Sequence, residues 1–174
     1  MDHVYLFQVY VPISWWTGLG LLLGGAVSLL LWRPLVARTG WHAGWTLTSL
    51  LLLSSTLALT FGPGLQRRPP TLLECLPLRP YTLRHAIAQL AGDLENSLNI
   101  LMLAPVVVAV VLATRRTSYG ALLALALPGL IEITQSQIPG RVCSTADYLA
   151  NALGGVVAAV LTGAVLRRRP VSPG

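Results

Sequence analysis

The apolar positions of this chain neither alternate nor keep to one helical stripe; they run on. Five stretches, 13–32, 43–61, 95–114, 119–136 and 147–166, are apolar almost throughout, and each approaches the ~20 residues that an α-helix needs to cross a bilayer. Between them stand residues that lipid rejects or helices end on: Arg33-Pro34, Gly62-Pro63-Gly64, Arg115-Arg116 and Pro139-Gly140-Arg141. This pattern predicts an all-α fold, a polytopic transmembrane bundle of about five helices in one domain, 1–174. The long connection 64–94 is the only one with room for structure of its own, and the reading places it on the extracytoplasmic side.

Within that loop Leu83, Ala86, Ile87 and Leu90 fall at helical spacing, with Arg84, His85 and Gln89 elsewhere on the wheel. The spacing suggests a short interfacial helix there, with an ordinary surface loop as the alternative. The first apolar run is read as a helix rather than a signal peptide, because residues 1–16 lack a basic start and no small-residue cleavage site follows. Pro105, and Pro128 with Gly129, interrupt the third and fourth runs and are expected to bend them.

Composition agrees with the pattern. The chain is 54% hydrophobic and 10% charged, with a mean hydropathy of +0.67, too little polar surface for a soluble globule of this size. The bilayer is therefore the first partner. A net charge of +6 raises nucleic acid as a second, but the basic residues are all arginine and most lie between apolar runs, which is a topological placement and argues for no nucleic-acid role. Arg33, Arg38, Arg115, Arg116 and Arg167 to Arg169 fall on one side, against Arg67, Arg68, Arg79, Arg84 and Arg141 on the other. The bias sets the N-terminus outside and the C-terminus in the cytoplasm. Trp15, Trp16, Trp32, Trp41 and Trp45 crowd the ends of the first two runs, as an interfacial aromatic belt does.

One region resists an explanation from lipid alone. Glu132 sits inside the fourth run with Gln135 following on the same face, and the fifth run opens with Asp147 and Asn151, continued at i+4 spacing by Gly155, Ala159 and Gly163. That stripe of small and polar residues is expected to face a neighbouring helix. The turn between the runs carries Arg141 and Ser144, so the two helices form an antiparallel hairpin with Arg141 over the cluster. Two readings stand side by side. The polar groups lock helices in register, or Glu132, Gln135, Arg141, Ser144, Asp147 and Asn151 form a ligand site in which the guanidinium takes an anionic group.

The segment Ile131-Glu132-Ile-Thr-Gln135, Pro139-Gly140-Arg141, Asp147, Asn151, Gly154 closely resembles the signature of the VanZ-like family, small bacterial membrane proteins named for a glycopeptide-resistance accessory protein. Leu76-Pro77-Leu78 resembles that family's loop motif, and Asn96, Asn99 and Pro105 sit where its preceding helix carries Asn and Pro. The resemblance covers residues 74–165; the first two helices match only as hydrophobic spans. It implies a role in teicoplanin tolerance or cell-envelope biology in the bacterial plasma membrane, and marks Glu132, Gln135, Arg141, Asp147 and Asn151 as the family's characteristic polar positions. The sequence departs from the family at Ser144 and Ala146, where acidic residues are common, which leaves it less suited to a metal.

Cys75 and Cys143 are the two cysteines. Both fall outside under the expected topology, where disulfides persist, so they are expected to pair and tie the long loop over the Arg141 turn. His3, His42 and His85 are dispersed, without carboxylate or cysteine at ligand spacing, so no metal and no cofactor is expected.

The functional expectation is a membrane-embedded binding protein whose external site takes the anionic group of an envelope lipid or peptidoglycan precursor. An intramembrane enzyme with Glu132 or Asp147 as general base is the alternative; the lack of a Ser-His or Cys-His pattern weighs against it. An assembly scaffold using the small-residue faces of the first and fifth helices, with Gly20, Gly24 and Ser28 on the first, is a third reading that leaves Arg141 unexplained.

Overall fold

The computed structural model describes residues 4–6, 9–11, 15–62, 80–90, 99–138, 141 and 144–168. Helices α1 (Trp15–Thr39), α2 (Ala43–Thr60), α3 (Pro80–Leu90), α4 (Ala104–Thr114), α5 (Thr117–Gln135) and α6 (Thr145–Arg168) account for nearly all of it. Two three-residue strands, β1 (Val4–Leu6) and β2 (Val9–Val11), pair antiparallel ahead of α1, with Tyr5 opposite Tyr10. Among the described residues α1, α2, α5 and α6 are long and apolar enough to cross a membrane, and a shorter apolar helix, Asn99–Thr114, includes α4. The fold is an all-α membrane bundle.

Its interior inverts the soluble pattern. Leu22, Leu30, Leu122, Leu130 and Leu161 are exposed, whereas Thr17, Ser28, Thr46, Ser49, Thr56 and Thr60 are buried. Leucine gains nothing by leaving lipid, so small residues that let backbones approach take the inside. Several buried hydroxyls are satisfied by the turn before them: Ser28 Oγ donates to the Gly24 carbonyl at 2.7 Å, Thr46 Oγ1 to the His42 carbonyl at 2.9 Å, and Thr114 Oγ1 to the Val110 carbonyl at 2.8 Å.

α4 is the central element, with Val106, Val107, Ala109, Val111 and Ala113 all buried. It packs against α2, α5 and α6, while α1 lies on α2 and α3 on α6. The core gathers Val107 and Val111 with Ala124, Ala158 and Ala159. Glycine sets the spacing: a Cβ on Gly155 would fall 2.6 Å from Ala124 Cβ, and one on Gly154 only 1.8 Å from the Ile100 carbonyl oxygen. Ala159 is fully buried and Gly163 lies against Thr117. The i+4 stripe of the last helix thus faces protein, as its composition predicts.

Three features differ from the sequence reading. Arg33-Pro34 does not end the first helix: α1 runs through Pro34 to Thr39. Proline only removes a donor and crowds one turn; the stop is Gly40, whose φ of 69° takes the left-handed region and whose N–H donates to the Val36 carbonyl at 2.9 Å. Pro105 does not bend a helix but opens one, standing in the first turn of α4 after a break at Leu103. The small-residue face of α1 is used within the chain: Gly20 lies against Ala58, Gly24 against Ser54, and Ser28 Oγ is 3.5 Å from Ser54 Oγ. That face is not free for the assembly role considered for it.

Helix α3 forms where the amphipathic spacing predicts. Ala86 is buried, while Leu83 and Ile87 are exposed, because a methyl side chain lets α3 lie close on α6.

Candidate functional site

The polar cluster is built where three helix termini meet: the C-terminal ends of α2 and α5 and the N-terminal end of α6. Four unpaired carbonyls close every helix and four unpaired N–H groups open it, so such a junction demands polar partners. The side chains singled out from the sequence supply them.

At the end of α5, Ile131, Glu132, Gln135 and Ser136 are all buried, an i, i+3, i+4 face turned inward. Glu132, 4% exposed, accepts the Ser144 backbone N–H on Oε2 at 2.7 Å. Ser144 in turn caps α6, its Oγ accepting the Asp147 N–H at 3.2 Å. Asn151 Nδ2 donates back to the Asp147 carbonyl at 2.9 Å. Arg141 and Asp147 both lie within electrostatic range of the Glu132 carboxylate. Glu132, Ser144, Asp147 and Asn151 therefore form one connected unit across the hairpin.

Gln135 and Arg141 reach further. Gln135 Nε2 donates to the Thr60 carbonyl at 2.9 Å, and Arg141 Nε donates to the Gly62 carbonyl at 2.7 Å. Both close the C-terminal end of α2, a helix the sequence reading left apart from the cluster. Thr60 and Gly62 contribute through main-chain oxygens, which no residue-type pattern reveals.

Asn151 is 4% exposed, and its Oδ1 is buried without a hydrogen-bond partner. A buried amide oxygen left unsatisfied costs about 1–3 kcal/mol, so its position invites a donor. Ala146, where the family often carries an acidic residue, is 3% exposed; a carboxylate there would be taken out of water. Among the described residues no three of His, Cys, Asp and Glu group to hold a metal ion. Cys75 and Cys143, and with them the expected disulfide lid, lie outside the described residues.

The VanZ/LLP1 family model matches residues 47–166. The chain belongs to the VanZ/LLP1 family. No curated protein matches it, and no solved structure does. The VanZ/LLP1 match takes in every member of the junction, including Thr60 and Gly62. It extends the resemblance seen in the motifs back into α2, the helix that Gln135 and Arg141 hold. All of α1 lies outside it.

Proposed function

We propose that this VanZ-type membrane protein binds the anionic group of an envelope lipid or lipid-linked peptidoglycan precursor at the junction of α2, α5 and α6, and so contributes to teicoplanin tolerance. It sits in the bacterial plasma membrane with its N-terminus outside and its C-terminus in the cytoplasm, and the junction faces outward. The observation that carries this reading is the placement of Arg141. It is half-buried at one end of the bundle, and its guanidinium is oriented by the Gly62 carbonyl, which supports a fixed cation beside the end of the spans. The planar donor fork of arginine suits phosphate and carboxylate. Asn151 Oδ1 offers a buried acceptor to a hydroxyl, amide or ammonium donor of the same ligand.

A second reading has its own support. Glu132 and Gln135 each hold a backbone group of a neighbouring segment, as a latch between helices does, and a latch needs no ligand. Extraction of the lipids that co-purify with the wild type, Arg141→Ala and Glu132→Gln separates the two. Binding predicts an anionic envelope lipid retained by the wild type and lost from Arg141→Ala; identical lipids in all three with lowered stability would leave only the latch. In a glycopeptide-sensitive host, expression of the wild type is expected to raise the teicoplanin concentration survived, and Arg141→Ala to remove that gain. The proposed Cys75–Cys143 disulfide would hold the long loop over this site.

A further inference from the structure

The opposite end of the bundle carries a second feature. Tyr119, in the first turn of α5, lies about 20 Å along that helix from Glu132. Its ring is 6.2 Å from that of Trp41, centroid to centroid, and this aromatic pair lines two cavities at once. One, of about 570 Å³, has a mixed lining that includes His42, Arg115 and Arg116. The other, of about 430 Å³, is lined by Leu50, Leu53, Val110, Leu122 and Ala126. A cationic chamber thus joins an apolar one across the kind of aromatic pair that marks the depth of a membrane interface.

The arginines are held to this chamber. Arg116 Nη1 donates to Tyr119 Oη at 3.2 Å, and its guanidinium carbon stands 5.4 Å from the centre of that ring. Arg115 takes φ 57°, rare for a residue with a side chain, and this left-handed link turns α4 into α5 within two residues. The backbone N–H of His42 donates to the Ala113 carbonyl at 3.0 Å, closing the chamber from the side of α2. A neighbouring cavity lined by Arg115, Arg116 and Arg167 extends the positive potential toward α6. The two acidic residues among the described residues, Glu132 and Asp147, both belong to the other end. Positive charge with no counter-charge near it among the described residues calls for an anion, and the apolar chamber calls for a hydrocarbon chain on the same molecule.

We infer that this end binds an anionic phospholipid, with its phosphate against Arg115 and Arg116 and an acyl chain in the groove between α2, α4 and α5. The site is separate from the Arg141 junction and stands or falls without it.

The test is native mass spectrometry of the full chain released from nanodiscs of equal dioleoyl-phosphatidylglycerol and dioleoyl-phosphatidylcholine. The wild type is expected to retain phosphatidylglycerol preferentially. The double variant Arg115→Gln/Arg116→Gln is expected to lose that preference by roughly tenfold to thirtyfold, as two interfacial arginines imply. Ala126→Phe fills the groove from a lipid-facing position and is expected to lose the lipid with all charges intact. Leu50→Trp repeats that test from the facing wall should Ala126→Phe fail to fold. Equal retention of both lipids by the wild type would overturn the site. So would unchanged retention in both groove variants, or displacement of the phospholipid by inorganic phosphate alone, since either reduces it to surface attraction.

Discussion

Gln135 donates its Nε2 hydrogen to the carbonyl oxygen of Thr60, a residue 75 positions earlier, at 2.9 Å. Both residues are buried, so removing the amide leaves a desolvated carbonyl with its partner gone. Gln135→Ala is expected to destabilise the protein by about 1–3 kcal/mol, read as lowered thermal or denaturant resistance in detergent. A change within about 0.5 kcal/mol of wild type would show that the contact does not hold α2 to α5.

Glu132 and Ser144 make a parallel case. Glu132→Gln keeps an oxygen able to accept the Ser144 N–H, whereas Glu132→Ala leaves that N–H without its acceptor. The alanine variant is expected to lose about 1–3 kcal/mol and the glutamine variant clearly less. Unfolding of the two variants side by side checks the order, and equal losses would assign the effect to charge rather than to the acceptor.

Glycines at two positions should respond oppositely to one added methyl. A Cβ on Gly154 would collide with the Ile100 carbonyl, whereas one on Gly18 meets nothing within 4 Å. Gly154→Ala is expected to cost about 1–3 kcal/mol through forced separation of backbones, and Gly18→Ala to be neutral or slightly stabilising through helix propensity. Comparable melting of both variants would contradict the close approach of α6 to the segment before α4.

The proposed pairing of Cys75 with Cys143 predicts that neither thiol takes up an alkylating reagent until a reductant is added, as followed by intact mass. Labelling of both without reductant would dismiss the disulfide and the lid built on it.

The apolar runs made the bundle legible, and the i+4 series from Asp147 to Gly163 made the buried face of α6 legible, because lipid leaves polar and small residues nowhere else to go. The hairpin and its junction were equally open to reading, since Glu132, Ser144 and Asp147 lie within a few turns of one another along the chain. What was hidden has a common cause. Thr60 and Gly62 act through main-chain oxygens, and a carbonyl is the same in every residue. Pro34 reads as a stop because its effect is usually local and severe, but Gly40 supplies the actual left-handed exit. The face of α3 was predicted from Leu83, Ala86 and Ile87 together with Leu90, and of the first three Ala86 alone is buried.

The central position of α4 also governs the order of assembly. Val107 and Val111 pack on Ala124 of α5 and on Ala158 and Ala159 of α6, so the innermost helix of the bundle is enclosed largely by helices that a ribosome makes after it. α4 can settle against α2 as soon as it is made, but its faces toward α5 and α6 stay open until those helices arrive. A chain cut short within α6 would keep the α1, α2 and α4 packing and lose the Ala158 and Ala159 side of the core.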